Sequence, residues 1–396
     1  MMSAEGKQQA SARPALVPGE HVLIITQVNP YTPVGGVTVV MRNLLSAFDT
    51  RSYTIAYLGR FNLRQAPEEY EPREECYRLI PNFHPVQLLG AVFARLKQRY
   101  ATWRAIRLAK AKGAGIVVGL YPTFASLRIA TDVAERLGAR YFPYLHDTVL
   151  EGLSHTAMAD DAATLQQRVF SLATKVMTMS EGMTDYYKDK YQLVSYPLEH
   201  SYPEAIESQP EVTRTKTAFW GGEVYAINDQ SFSRVQQALE KLDTNLEVTS
   251  LSSLRIESAS NVVRNFYPSR DEYIQAVRHH GILVLAINWP DESDVHEAEL
   301  STIFPTKTVE YLATGSPILV HCPEHYFLAR FFRERNCGVV VSSRDQEQLL
   351  EGIERLQNNP AETLEMQRNA LEATSLFGID RVAGTFQEYL KAEPGR

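Results

Sequence analysis

The strongest constraint on this chain is an alternation that runs twice. Short apolar segments of strand type are separated by longer segments with helical periodicity. His21–Thr26 (His-Val-Leu-Ile-Ile-Thr) opens the first series, and strand-like runs follow at Tyr53–Leu58, Gly115–Leu120, Arg140–Leu145 and Lys175–Met179. Helical patterns lie between them at about Val37–Phe48, Thr123–Leu137 and Glu181–Lys190. The second series has strand runs at Thr217–Trp220, Glu247–Ser250, Val262–Phe266, Ile282–Ile287, Pro317–His321 and Gly338–Ser342. Its helices are expected at Gln230–Leu242, Asp271–His279, Thr306–Ala313, Tyr326–Arg335 and Gln346–Asn358, with terminal helices at Pro360–Thr374 and Asp380–Leu390. Continuous apolar strands alternating with helices call for parallel sheets covered on both faces.

A chain of 396 residues has room for two such layers, each with its own core. The expected organisation is a disordered tail at 1–20, an N-terminal domain at 21–202, a polar linker at 203–216 and a C-terminal domain at 217–378. A last helix at 379–396 has the N-terminal domain as a candidate surface to pack on. The fold class is therefore α/β, with two Rossmann-like doubly wound domains. Ligands of such sheets sit beyond the carboxyl ends of the strands. Gly35-Gly36, His146-Asp147 and Asn288 all follow strand runs.

Composition excludes several function classes. Hydrophobic residues make up 44% and charged residues 22% of the chain, as in an ordinary globular protein. A net charge of -7 argues against a general nucleic-acid binder. Cys76, Cys322 and Cys337 are scattered thiols without metal-ligand spacing, which suits a reducing cytoplasm better than a disulfide framework. Met1–Glu20 lacks the apolar centre of a signal peptide, and no later run reaches membrane-spanning length.

The densest chemistry lies in Ile303–Val320. Here a short helix with Lys307 and Glu310 in its opening turns ends at Gly315. A helix start offers free N–H groups and partial positive charge, which suit a phosphate, and Lys307 adds a full cation. Glu310, three residues on, projects from the same face and can accept hydrogen bonds from ribose or sugar hydroxyls. The pattern fits a seat for a nucleotide diphosphate sugar. It also fits an amphipathic helix with two solvated charges.

Read in order, these segments resemble the retaining glycosyltransferases of glycosyltransferase family 4, which have the GT-B fold. Phe304-Pro305-Thr306-Lys307-Thr308-Val309-Glu310-Tyr311-Leu312-Ala313-Thr314-Gly315-Ser316-Pro317 is similar to the family's donor-binding signature, in its Pro-x-Lys variant. Cys337–Val341, Leu349, Ile353 and Asn359-Pro360 follow its usual continuation. Pro33-Val34-Gly35-Gly36-Val37, Tyr144-Leu145-His146-Asp147 and Val176–Glu181 extend the likeness through the first half, over roughly residues 21 to 390. The resemblance implies two domains facing across a cleft, with the donor held by the second.

It also implies residue roles. Gly35 and Gly36 would let a diphosphate approach the backbone, although an ordinary tight turn looks the same. Lys307 would neutralise the leaving diphosphate as charge grows on it, and Glu310 would hold the ribose. Ser301, Thr302, Pro305, Thr306 and the backbone around Phe304 would touch phosphate or sugar. His146 would lie near the transferred sugar and the acceptor, the alternative being a capping or core histidine. Asp147 would cap the next segment or orient His146.

This chain departs from the family pattern in places. The family pairs two glutamates, and with Glu310 as the second, the first falls on Thr302. A carboxylate of the acidic run Asp291–Glu299 is a candidate substitute, yet most of that run reads as solvated surface. The basic pair expected after the first C-terminal strand is absent from Gly221–Asn228, which leaves the diphosphate to Lys307, helix N-termini and Arg264.

One further segment stands out. Val92–Lys112 carries Arg95, Lys97, Arg99, Arg104, Arg107, Lys110 and Lys112 with no acid, interleaved with Phe93, Leu96, Tyr100, Trp103, Ile106 and Leu108. It reads either as a basic amphipathic face for an anionic membrane surface or as a domain helix packing its apolar stripe inward.

The expectation is a cytoplasmic enzyme, peripheral on the inner face of the membrane if the basic segment binds lipid. It would transfer a sugar from a nucleotide sugar to a saccharide or lipid-linked acceptor, with no metal, no further cofactor and no nucleic-acid partner. Two other classes fit the same residues: a nucleotide-sugar epimerase or hydrolase, and a non-catalytic glycan- or nucleotide-binding protein.

Overall fold

The structure, a computed structural model, describes residues 13–32, 36–59, 73–80, 90–121, 123–202, 216–250, 256, 260–267 and 269–391. The first half runs β1 (His21–Thr26), α1 (Gly36–Leu45), β2 (Tyr53–Tyr57), β3 (Cys76–Arg78), α2 (Gly90–Lys112), β4 (Ala114–Tyr121), α3 (Phe124–Leu137) and β5 (Arg140–Leu145). It continues with α4 (Ala159–Leu172), β6 (Val176–Thr178), α5 (Glu181–Tyr191) and β7 (Ser195–Pro197). These strands form a sheet of order β3-β2-β1-β4-β5-β6-β7, paired in parallel.

The second half runs β8 (Thr217–Trp220), α6 (Asp229–Lys241), β9 (Asn245–Val248), β10 (Val262–Arg264), α7 (Arg270–His279) and β11 (Ile282–Ala286). It ends with α8 (Glu297–Thr302), α9 (Lys307–Thr314), β12 (Ile318–His321), α10 (Phe327–Arg335), β13 (Val339–Val341), α11 (Gln346–Asn358), α12 (Pro360–Thr374) and α13 (Ile379–Lys391). The second sheet is parallel too, in the order β10-β9-β8-β11-β12-β13. Its strand order reverses between β8 and β11, the place where such sheets open a crevice at their carboxyl ends.

The chain packs as two compact units. One comprises Met1–Pro143, Leu172–Thr174 and Ala383–Arg396, and the other Tyr144–Ser171 and Lys175–Val382. In the first, the tail expected over 1–20 is anchored from its described part onward, which corrects that boundary. Leu16 and Val17 are buried, and the Leu16 amide donates to Ser52 Oγ at 2.9 Å. Apolar side chains at these two positions give the segment something to bury. The end of α13 packs in the same unit, with Phe386 edge-on to Phe48 and Gln387 Nε2 donating to the Ala15 carbonyl at 2.9 Å.

Helix α2 reverses one expectation. Its inward face is made of Ala101, Thr102, Ala105 and Ala109, all buried. Leu96, Tyr100 and Trp103 face out, with relative exposures of 53%, 44% and 49%. Small residues let the helix sit close on its neighbours, so the large apolar groups are left outside among the cations. Arg107 lies 4.8 Å from the Trp103 ring centroid, and the Tyr100 and Trp103 rings are 5.8 Å apart.

The second unit has a core on each face of its sheet. Alternation along β8 sends Phe219 to one core and Trp220 to the other. Strand β9 starts two residues earlier than expected, because pairing with β8 sets its register and buries Leu246 and Val248. Helices α4 and α8 were not anticipated. The polar sequence of α4 hides an inward stripe of Ala162, Leu165 and Val169, and α8 is only 6 residues long inside an acidic run.

Helix α9 ends on Gly315 at φ 64°, in the left-handed region, where its amide donates to the Leu312 carbonyl at 3.3 Å. Glycine adopts this conformation without steric cost. A Cβ at this position would also lie 3.1 Å from Leu371 side-chain atoms. Gly315→Ala is expected to destabilise the protein by about 1–2 kcal/mol, read as a lower urea midpoint with an unchanged slope.

Candidate functional site

The group around α9 is built from the carboxyl end of β8. Strand β8 closes with the fully buried Trp220, followed by Gly221. Lys307, the first residue of α9, sends its ammonium to the Gly221 carbonyl at 3.2 Å and over the Trp220 ring, 3.0 Å from its centroid. The Gly221 amide donates to the Tyr311 hydroxyl at 2.8 Å. A Cβ on Gly221 would collide with the Tyr273 hydroxyl, so only glycine lets the β8 end come this close to α7.

One turn along α9, Glu310 pairs with Arg270 Nη1 of α7 at 2.7 Å, and the Tyr273 hydroxyl stands 3.4 Å from its other oxygen. Burial pushes the Lys307 ammonium well below the usual lysine range, against the pull of the Glu310 carboxylate. Thr308, buried in the first turn of α9, has a hydroxyl oxygen without a hydrogen-bond partner. Val309, Tyr311, Leu312 and Ala313 are buried on the other flank and hold the helix in the core. This is a cation, a helix start and an anchored carboxylate on one short element.

Other expected members are placed differently. Thr302 is buried, and its hydroxyl donates back to the Ala298 carbonyl at 2.7 Å, so it is spent inside α8. The Phe304 ring is core, stacked on Phe377 at 5.7 Å and 5.0 Å from Phe331. Ser301 is partly exposed, its hydroxyl 3.4 Å from the Ala298 carbonyl. Pro305 and Thr306 are partly exposed and lead into α9, and the Pro305 carbonyl accepts from the Thr308 amide at 2.8 Å. Arg264 is exposed at the end of the edge strand β10, with β9 between it and β8, and does not join the Lys307 group. Gly36 opens α1, and Gly35 lies outside the described residues. Asn288 is buried and bonded to Ser231, Ala226 and Asp229. It fastens the β11 end to α6.

A second group stands on the segment after β5. The His146 ring lies 4.4 Å from that of Tyr144, and its Nε2 is buried without a partner. Burial holds its pKa well below the histidine range, with His200 adding in the same direction, so the ring is neutral near neutral pH. Burial raises the Asp147 carboxyl above the usual aspartate range. Glu299 of α8 accepts from the Thr148 amide at 3.0 Å and from the Thr148 hydroxyl.

The acidic run therefore divides. Asp291 pairs with Arg344, Glu292 with Arg234 at 2.7 and 2.9 Å, and Glu299 alone turns to the β5 segment. Sequence reasoning missed Arg270, Tyr273 and Trp220, and left Glu299 unresolved among its neighbours. A Trp-Gly-Gly closing a strand was the one available signal.

No protein-family model and no curated protein sequence matches the chain. Solved structures do. Sucrose-phosphate synthase from Thermosynechococcus elongatus aligns at TM-score 0.69 and 13% identity, covering 93% of this chain and 98% of that one. HepE of Anabaena in complex with UDP and glucose aligns at 0.67 and 12%, covering 94% and 100%. WaaG, a glycosyltransferase involved in lipopolysaccharide biosynthesis, aligns at 0.64 and 16%, covering 94% and 100%. The fold is GT-B. At these identities the likeness carries architecture, and the chemistry must be argued from the residues.

Proposed function

We propose that this protein is a retaining glycosyltransferase of polysaccharide or glycolipid biosynthesis. It moves a sugar from a nucleotide diphosphate sugar to a hydroxyl of a saccharide or lipid-linked glycan, without a metal. The observation that carries this reading is the position of the Lys307 ammonium at the carboxyl end of β8, where the resemblance expects a basic pair that the sequence lacks. A cation from α9 thus stands in for cations from the β8 loop. UDP bound to HepE makes UDP the first nucleotide to test.

In the proposed reaction the anomeric carbon–oxygen bond to the diphosphate breaks as the acceptor oxygen bonds to that carbon on the same face. The acceptor proton passes to the departing phosphate oxygen, so no enzymic nucleophile is required. Lys307 and the N–H groups at the start of α9 meet the growing negative charge. An ammonium kept from full hydration has more to gain from a phosphate than a solvated one, which favours the transition state. Glu310, anchored by Arg270, offers a carboxylate to ribose hydroxyls. The neutral His146 accepts or donates a hydrogen bond beside the sugar without adding charge.

A panel of nucleotide sugars screened by thermal shift, followed by turnover with the stabilising donor, tests the reading. Lys307→Ala is expected to lower kcat about 100-fold or more and stability by about 1 kcal/mol; unchanged turnover would remove the phosphate role. His146→Ala is expected to lose transfer while nucleotide still raises Tm, and a variant that cannot fold would return His146 to the core. Donor consumed quickly with no acceptor present would favour an epimerase or hydrolase.

We also propose that α2 seats the protein on an anionic membrane surface. Leu96, Tyr100 and Trp103 are exposed on a helix described from Gly90 to Lys112 that carries seven cations and no acid. Among the described residues no helix is long and apolar enough to cross a membrane, so any attachment through this helix is interfacial. Vesicles rich in phosphatidylglycerol should pellet the protein at about 20 mM salt and release it near 500 mM, with Trp103→Ala weakening the binding. Failure to pellet at low salt would end this proposal.

A further inference from the structure

Lys307 has a carboxylate one turn along its own helix, yet the fold seats its ammonium elsewhere. We infer that Trp220 is a positioning residue: its indole face, with the Gly221 carbonyl, holds the Lys307 ammonium over the carboxyl end of β8 and keeps it off Glu310. This deepens, and rests on, the reading of Lys307 as the phosphate-binding cation.

The two cores of the second unit define the geometry. Helix α9 buries Val309, Tyr311, Leu312 and Ala313 in one core, whereas Trp220 belongs to the core on the other face of the sheet. Lys307 therefore reaches across the end of β8 to meet the ring, 3.0 Å from its centroid, and donates to the Gly221 carbonyl at 3.2 Å. Both parts of this seat are fixed. Phe232 of α6 stands edge-on to Trp220 with ring centroids 5.0 Å apart. The Gly221 amide donates to the Tyr311 hydroxyl at 2.8 Å, which ties the seat back to α9. Glu310 is the ion-pair partner that helix spacing alone would give Lys307. It is paired instead with Arg270 at 2.7 Å, and among the described residues no ion pair joins it to Lys307.

The residue type at position 220 points the same way. Trp220 is fully buried, and its indole Nε1 has no hydrogen-bond partner among the described residues. A buried donor left unmade is costly, and a phenylalanine would present an apolar ring without that cost. What indole offers beyond phenyl is a stronger negative face for a cation. Burial works against the Lys307 charge, whereas the ring face and the carbonyl work for it. An ammonium has more donors than the one carbonyl met here, so the seat leaves hydrogen-bonding capacity for phosphate oxygens.

Tryptophans carrying an increasing number of ring fluorines, placed at position 220 alone, test the inference. Each fluorine weakens the negative face of the ring and changes its volume little. Thermal unfolding of the full chain is read for this series in the otherwise unchanged protein and in Lys307→Met. Tm should fall stepwise, by at least about 2 °C over the series, where Lys307 is present, and should stay level in Lys307→Met. With the donor that the nucleotide-sugar panel identifies, kcat should fall along the same series by about 3-fold or more. Trp220→Phe, which keeps a ring face, should retain more turnover than Trp220→Met, which keeps only apolar bulk. A level Tm series with Lys307 present, or equal slopes in the two backgrounds, would overturn the seat. A Tm slope with unchanged kcat would overturn the positioning role. The Tm arm needs no substrate, so a slope in a protein that transfers no sugar would keep the seat and reject the glycosyltransfer reading.

Discussion

The candidate site of the second unit depends on an ammonium largely withdrawn from water. Lys307 has an indole face beneath it, one backbone carbonyl as acceptor, and a carboxylate one turn away that is already paired with Arg270. Such a cation is poorly compensated. A phosphate would complete its coordination, and the neighbouring N–H groups of the α9 start would add to the attraction. Several local features follow from this placement. Gly221 carries no side chain, because its backbone must approach α7. Trp220 closes β8 with a flat apolar surface. Glu310 is held from a second helix, so its charge does not simply cancel the lysine.

Acid groups of one run serve different ends in the fold. The run Asp291–Glu299 looks uniform as sequence, yet its members do different things. Two of them pair with arginines, and one turns inward to accept from Thr148. Charge in such a run has little meaning until partners are known, since a solvated acid and a buried, hydrogen-bonded acid are the same residue type in different surroundings. The same holds for α2, where small residues decide which face goes in and leave aromatic groups beside cations.

Much of the fold was legible. Continuous apolar runs marked β1, β4, β5, β11 and β12, because strands covered on both faces must be apolar throughout. Helices with a clear stripe, such as α6, α10 and α11, were also visible. Elements whose signal is set by packing were not. Helix α4 is too polar to announce itself, α8 is too short to show a period, and the register of β9 comes from its pairing with β8. In the candidate site, Lys307, Glu310 and His146 were picked from spacing and motif order. Thr302 was picked for the same reason, and its hydroxyl is bonded within α8; at Phe304 the backbone was the expected contact, and its ring lies in the core.

What the chain determined by itself was the alternation that builds two parallel sheets and the short helix that carries Lys307 and Glu310, because periodicity and capping are local properties. Only the tertiary structure decided which groups face each other. Arg270 meets Glu310, Trp220 lies under Lys307, and Glu299 accepts from Thr148 across 151 positions of the chain. Spacing along the chain carries no record of such encounters, since they arise from how strands order within a sheet and how helices pack on it.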